Sequence, residues 1–526
     1  MSHSNGAVAC GHPATAETAM EILRDGGNAY DAVIAAMCTA AAAEPVFFSL
    51  AGGGFLVAQP AASKAIVYDF FVSTPRRRPR SERELDFYPI QADFGTATQE
   101  FHIGLGSTAT PGAVRGLFAI HRDLASLPIA RLLEPAIRHA REGVTLRPVD
   151  AYLFSVVGPI LTARADSREV YTRSDGTLLT DGDRVTQRDY ADCLEAIGHE
   201  GEALFYEGEI AEALSRACRE QGGLLDRQDL AGYRVIRRAP LACRYRGAQI
   251  LTNPPASTGG LLIAFKLSVL EALLREPTAF GSPGWLGVLG RTMALTNRAR
   301  AENPLGEEQD DAEGPAIAER FLSPELRARY LEVLERHPES PRGTTHISVI
   351  DGDGNLAALS LSNGEGNGYV LPGTGIMLNN MLGEQDLNPD GFHRWTPGIR
   401  LASMMAPSVA TLADGRLTAL GSGGSNRIRT AIFQVLVNLI DQGMTLEEAV
   451  DAPRLHVEHG VANAEAGLGE PCREALASAD EPFADRVMDW PRHNLFFGGV
   501  HAVSQSPSGD SAAAGDPRRG GVALVD

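Results

Sequence analysis

The chain has 526 residues, 44% of them hydrophobic and 21% charged, and a formal net charge of −19. That length exceeds one ordinary core and points to two to four domains, and the composition is that of a globular rather than a disordered protein. The acidic balance argues against a nucleic-acid partner, which would need a basic surface. The six cysteines, scattered without a C-x-x-C pair, argue against a disulfide framework or zinc site.

Met1-Ser2-His3-Ser4-Asn5-Gly6 has neither a basic n-region nor an apolar h-region, so no signal peptide is read. With the reduced cysteines, this sets a cytoplasmic location as the expectation. Pro13 to Asp25 reads as a helix stopped by Gly26-Gly27. Asn28 caps a second, alanine-rich helix to about Ala43, ended by Glu44-Pro45. Its apolar run, Ala32 to Ala43, is too short to span a bilayer, and no membrane partner is expected. Gly52-Gly53-Gly54 then precede a strand over Phe55 to Ala58, which implies close backbone approach. A further strand, Ala65 to Phe71, leads to a cluster of Arg76, Arg77, Arg78 and Arg80, read as a solvated loop or an anion-steering patch. Helices follow around Ala113–Leu124 and Ile129–Arg141. Residues 145–300 read as mostly helical, with Arg188–Glu200, Glu209–Gln221 and Ser257–Leu274 as the clearest elements. Residues 307–313 form an acidic loop, Leu322 to Glu335 a charged helix, and His337 to Gly343 an irregular, proline-containing approach to what comes next.

Gly343 is followed by Thr344-Thr345-His346-Ile347-Ser348-Val349-Ile350, a strand that opens on two threonines. If the Gly343–Thr344 bond is cut, the Thr344 hydroxyl becomes a nucleophile and its own α-amine the adjacent base. Such an amine has a reference pKa near ~8 and is partly unprotonated at neutral pH. Asp351-Gly352-Asp353-Gly354 signals a tight turn into a return strand, Asn355 to Ser362. Pairing Ile350 with Asn355 places Thr344 opposite Leu361, or opposite Ser362 with a one-residue bulge. Taken alone, this is an ordinary hairpin with a polar wet face. Further on, Arg427 to Ile440 has helical periodicity, Thr445 to Glu448 is a capping box, and Val500–Val503 and Val522–Val525 read as closing strands.

Other chemistries find little support. His346 reads as structural, and His12 and His102 have no ligand spacing. His456 and His459 read as a surface pair, and His199-Glu200 lacks the second histidine of a zincin. Gly421 to Asn426 before a helix imitates a nucleotide-binding loop, but the final glycine is missing and no repeated βαβ unit surrounds it.

Gly343–Val349, Gly375–Asn380 and Gly421–Ile428 resemble the gamma-glutamyltransferase family in order and spacing, over nearly the whole chain. So do Asp25–Val33, Ala51–Phe55 and the Pro254–Gly260 loop. The resemblance implies an N-terminal-nucleophile hydrolase with a four-layer αββα sandwich, an α+β fold. It implies self-cleavage into a large subunit, 1–343, and a small subunit, 344–526, with Gly343 and Thr344 forming the cleavage site. It assigns Thr344 as nucleophile, Ser362 as the hydroxyl that orients it, and Gly423 and Gly424 as the oxyanion loop. Glu384, Ser403, Ser425 and Arg427 are expected at the substrate. The chain departs from the pattern where the glutamyl group is held. Phe71 stands for the carboxylate-binding arginine, Gly364 for a polar side chain, Ser403-Met404 for tandem serines, and Glu384, two before Asp386, for aspartate. Arg76, Arg77 or Arg427 are candidate substitutes. The expected activity is cleavage of γ-glutamyl amides such as glutathione, by transfer to water more than to an amine. An acylase acting on a glutaryl-like amide is the alternative. No cofactor or metal is expected, and the only partners are a small-molecule amide and the two subunits themselves.

Overall fold

The computed structural model describes residues 5–79, 81, 84–93, 98–255, 257–274, 276, 278–303, 314–330, 343–388 and 391–526. Arg80, the acidic loop over 307–313, the approach over 337–342 and the end of the helix expected to Glu335 lie outside these residues; Pro324–Tyr330 of that helix is helical. The chain mixes helix and sheet.

Thirteen strands form the two large sheets. They are β1 (Gly6–Cys10), β2 (Gly53–Gln59), β3 (Ile66–Asp69), β4 (Ile236–Arg238), β5 (Leu241–Tyr245), β6 (Ala248–Thr252), β7 (Thr345–Asp351), β8 (Leu356–Ser362), β9 (Ser408–Thr411), β10 (Leu417–Gly423), β11 (Gly499–Gln505), β12 (Ser511–Ala514) and β13 (Val522–Val525). One sheet has the order β13-β1-β7-β8-β2-β3-β4, the other β12-β11-β10-β9-β6-β5. Segments before and after Gly343 therefore alternate within the first sheet and meet at β6 and β9 in the second.

Side-chain alternation explains how β1, β7 and β8 are buried on both faces. Ala7, Ala9, Ile350, Leu356 and Ala358 meet Val409, Ala419 and Val503 of the other sheet. Val8, Cys10, Ile347, Val349 and Leu359 pack the opposite way, toward helices α1 (Pro13–Arg24) and α2 (Ala29–Ala43). Every residue of α2 is buried. Its alanines let the helix lie close, and Asn28 and Asp31 cap it reciprocally. The second sheet carries α3 (Gly259–Leu273) and α4 (Arg427–Ile440), with Ile263, Leu267, Ile432 and Leu436 packed against Leu420 and Ala410. Each such aliphatic side chain contributes ~1.5–3 kcal/mol by leaving water.

Residues 145–300 are mostly helical, as expected, but β4, β5 and β6 also lie there, and the sequence reading did not place them. β4 and β5 stand at sheet edges and carry Arg237, Arg238 and Arg244, a polar pattern that resembles a loop. The hairpin register also differs by one residue. Ile350 pairs with Leu356 and Thr345 with Leu361. Asp351 causes this: its backbone N–H donates to the Asn355 carbonyl at 3.2 Å and its carboxylate accepts the N–H groups of Asp353 and Asn355. The loop is thereby three residues long, with Gly354 at φ +82°. The same carboxylate accepts the Ala29 N–H at 2.9 Å, tying the turn to the start of α2.

Candidate active site

With Thr345 opposite Leu361, the next step along the ladder sets Thr344 beside Ser362, so a hydroxyl arrives there with no bulge. The Gly343 peptide is held on all sides. Its carbonyl accepts from the Thr344 Oγ1 hydroxyl at 2.7 Å and from the Ser362 hydroxyl at 2.9 Å. Ser362 is aimed in turn by the Gly364 N–H, 3.1 Å from its Oγ. The Gly343 N–H donates to Glu365 Oε1 at 2.9 Å, and the Glu365 N–H donates to Asn380 Oδ1 at 3.0 Å. Thr344 is only 6% exposed, so little water competes with these contacts. Gly364 turns at φ +64°, and a Cβ there would meet Glu384 Oε1 at 2.2 Å. A side chain at 364 would be strained at this positive φ and would have to displace both the Asn380 amide and the Glu384 carboxylate.

The other side of Thr344 faces the end of β10. A Cβ at Gly423 would lie 2.0 Å from the Thr344 carbonyl oxygen. Only glycine lets the two strands approach this closely. Gly424 packs on Gly498 and beside the Arg519 guanidinium. Ser425, at φ +53°, points its hydroxyl to Asp386 at 3.4 Å, and the Arg427 N–H closes onto the Gly424 carbonyl as α4 begins. Arg519 donates to the Thr344 carbonyl at 3.4 Å and lies over the Phe47 ring at 5.4 Å. Glu44, at the end of α2, accepts from the Thr345 hydroxyl at 3.1 Å, and burial raises its carboxyl to about 7.

The remaining sequence candidates make the following contacts. The Ser403 Oγ accepts the Met405 N–H, and its carbonyl accepts from Ser257 and Thr258, which fastens the loop before α3. The Arg427 guanidinium stacks on Phe496 at 4.6 Å and donates to its carbonyl. Phe71 stacks on Phe55 in the core and is 1% exposed. Arg76, Arg77 and Arg78 lie exposed in a loop, as the solvated-loop reading expects, with Arg76 and Arg77 paired to Asp226 and Asp229 at 3.0–3.9 Å and Arg78 donating to the Trp395 carbonyl. His346 is buried between the Ser360 and Ser348 hydroxyls, and burial holds its pKa well below the usual range. His456 and His459 are not a surface pair. His456 is 2% exposed, 3.0 Å from the Glu458 carboxylate, which also binds Arg429. The strand Leu455–Glu458 is buried along its length, and this places the imidazole inside. Among the described residues, no group of three or more His, Cys, Asp or Glu is arranged to hold a metal ion. Nor is any described helix long and apolar enough to cross a membrane. The Gly421–Asn426 loop follows a strand that is antiparallel to both neighbours, unlike a nucleotide-binding βαβ unit.

Sequence reasoning missed three residues that touch this centre: Glu365, Glu44 and Arg519. Glu365 carried a signal in the Asn363-Gly364-Glu365-Gly366-Asn367-Gly368 run, whose glycines adopt positive φ. Arg519 carried none, since 175 residues separate it from Thr344.

Comparison with known proteins gives the chain its context. The family model described as Gamma-glutamyltranspeptidase matches residues 15–525. An "Acylase ACY 1 proenzyme" of Pseudomonas sp. (strain V22) is 31% identical over 535 residues, covering 99% of this chain and 94% of the relative. A "Glutathione hydrolase proenzyme" of Escherichia coli (strain K12) is 28% identical over 98% of this chain and 90% of the relative. Among solved structures, the cephalosporin acylase from Bacillus halodurans superposes with a TM-score of 0.84 over 99% of this chain and 96% of its own. At 24% identity that likeness speaks for the fold alone.

Proposed function

Because the chain belongs to the gamma-glutamyltranspeptidase family, we propose that it is a self-processing hydrolase that cleaves an acyl amide through a threonyl ester. The observation that carries the reading is the Gly343–Thr344 peptide, its carbonyl bracketed by the Thr344 and Ser362 hydroxyls. In the uncut chain, Thr344 Oγ1 attacks the Gly343 carbonyl carbon. Ser362 donates to the oxygen as it gains charge, and the Thr344 nitrogen leaves with the proton. Water then opens the ester, releasing the Gly343 carboxylate and a free Thr344 amine. In turnover the same Oγ1 attacks the substrate amide while the α-amine takes its proton and passes it to the leaving amine; water, deprotonated by that amine, then cleaves the threonyl ester, releasing the acid and returning the proton to Oγ1. Backbone N–H groups of the Gly423–Ser425 loop receive the oxyanion, each such donor being worth ~3 kcal/mol of barrier. Residues 1–343 and 344–526 become the two subunits, and the paired sheets with their flanking helices read as a four-layer αββα sandwich.

For the acyl group, the reading best supported is a glutaryl-like or other non-glutamyl acid. Phe71 is in the core and Gly364 has no side chain, so two elements of an α-amino-acid grip are absent from the places the family resemblance assigns them. The 31% identical relative is named an acylase. A γ-glutamyl donor is favoured instead by the acidic pair Glu384 and Asp386, which suits an α-ammonium, and by the glutathione hydrolase relative.

Intact mass of the purified protein tests the mechanism. We expect two chains cut at Gly343–Thr344, and for Thr344→Ala a single uncut chain of 56.0 kDa with no hydrolysis. Cleavage of the alanine variant at that bond would overturn the mechanism. Comparing kcat/KM on glutaryl and γ-glutamyl p-nitroanilides then decides the acyl group: a preference of at least ~10-fold for glutaryl supports the first reading, and the reverse supports the second.

A further inference from the structure

Arg519 occupies a position that the reaction as written above does not use. The turn that carries it is fixed: Asp516 is gripped by Arg454 at 2.6 Å and Arg518 at 3.2 Å, accepts the Val500 N–H at 2.8 Å, and Arg518 is bound to Glu465 at 2.6 Å. From this anchor the Arg519 side chain runs along Gly499 to the Thr344 carbonyl, with Gly423 and Gly424 leaving room for its guanidinium. Burial lowers its pKa to about 10, so it still carries its charge at neutral pH. A residue's own nitrogen and carbonyl oxygen are at most ~3.7 Å apart, which puts Nη1 within ~7 Å of the Thr344 nitrogen.

We propose that Arg519 is a positioning residue that holds the Thr344 carbonyl and, by its charge, keeps the amine released at Thr344 in its neutral, proton-accepting form. This rests on the reading that Thr344 becomes an amino terminus. The groups that face that amine oppose one another. Glu365, which binds the Gly343 N–H, and Glu384, packed against Gly364, both favour an ammonium. Burial raises the Glu44 carboxyl to about 7, which weakens its charge, and Asp516 is balanced by Arg454 and Arg518. Arg427 stacks on Phe496 yet lies close enough to Arg519 to help lower its pKa, so it adds to the cationic side. Arg519 is the cation placed on the Thr344 backbone itself, and it offsets Glu365. An amine flanked in this way takes the hydroxyl proton during attack and, once protonated, is a stronger acid toward the leaving amine.

The test uses the self-processed protein. The Thr344 amine is dimethylated in short pulses with formaldehyde and cyanoborohydride from about pH 5 to about pH 10, and the small chain is weighed by mass spectrometry. The wild-type midpoint is expected about one unit below the ~7.7–8.0 of a free α-amine. Arg519→Gln is expected to raise it by about one unit and Arg519→Lys to leave it near wild type. The acid limb of kcat/KM on the better p-nitroanilide moves with it. A wild-type midpoint at or above the free-amine value, or an Arg519→Gln midpoint equal to wild type, would overturn the proposal. If Arg519→Gln is not processed, the wild-type and Arg519→Lys midpoints decide. A wild-type protein that yields no chain beginning at Thr344 refutes the reading of Thr344 itself, and the inference falls with it.

Discussion

At Gly343 both backbone polar groups are claimed by side chains, the N–H by Glu365 and the carbonyl by Thr344 and Ser362. The Ser362 hydroxyl is itself aimed, since it receives the Gly364 N–H and gives its own proton to the Gly343 carbonyl. Removing one such donor from a developing oxyanion costs ~10²–10³ in rate. Ser362→Ala is therefore expected to slow self-cleavage by about 10²-fold, whereas Ser362→Thr keeps the hydroxyl and stays within about 10-fold. A gel time course of freshly refolded precursor checks both. Thr344 and Ser362 were legible in the sequence, because they lie on adjacent strands joined by a short turn. Arg519 was not, because its place beside Thr344 depends on the whole second sheet. Phe71 shows the opposite case: the sequence placed it at the substrate, and its ring went to the core because stacking on Phe55 buries it fully.

Among the elements, β7 and β10 define the centre because their ends come within a glycine's width of each other. Gly423→Ala would drive a methyl group into the Thr344 carbonyl, which sits 2.0 Å from the new Cβ. Such overpacking costs ~1–3 kcal/mol, and here it also shifts the residue that must react. The variant is expected to melt earlier and to process more slowly. Gly232→Ala, where a Cβ meets no atom within 4 Å, is expected to do neither. Thermal denaturation with the same gel assay separates the two. The helices flanking the sheets were readable from periodicity and caps. The hairpin register was not, because it hangs on the Asp351 carboxylate gathering two N–H groups of its own turn. The edge strands β4 and β5 hid behind arginines that a half-exposed strand tolerates.

For the molecule as a whole, the consequential fact is that neither large sheet belongs to one side of Gly343. Cutting there leaves two chains whose strands remain hydrogen-bonded within shared sheets. Unfolding and refolding should expose the difference. Uncut Thr344→Ala protein is expected to refold with a yield independent of dilution. The processed form must first bring two chains together, so its yield should fall several-fold when the protein is diluted about 100-fold. Circular dichroism of both after removal from denaturant checks this; equal yields at every concentration would contradict the interleaved arrangement.

Four ladders join residues on opposite sides of Gly343: β1 with β7, β1 with β13, β2 with β8, and β6 with β9. At some rungs a small residue answers a bulky one, as Ala7 does Ile350 and Gly54 does Leu361, and at others like meets like, as Val8 does Val349 and Leu359 does Leu56. A gene spliced at codon 343 from two diverged relatives would join halves whose four seams had never been fitted to each other. The proposed point of cleavage is thus a poor point at which to recombine the polypeptide.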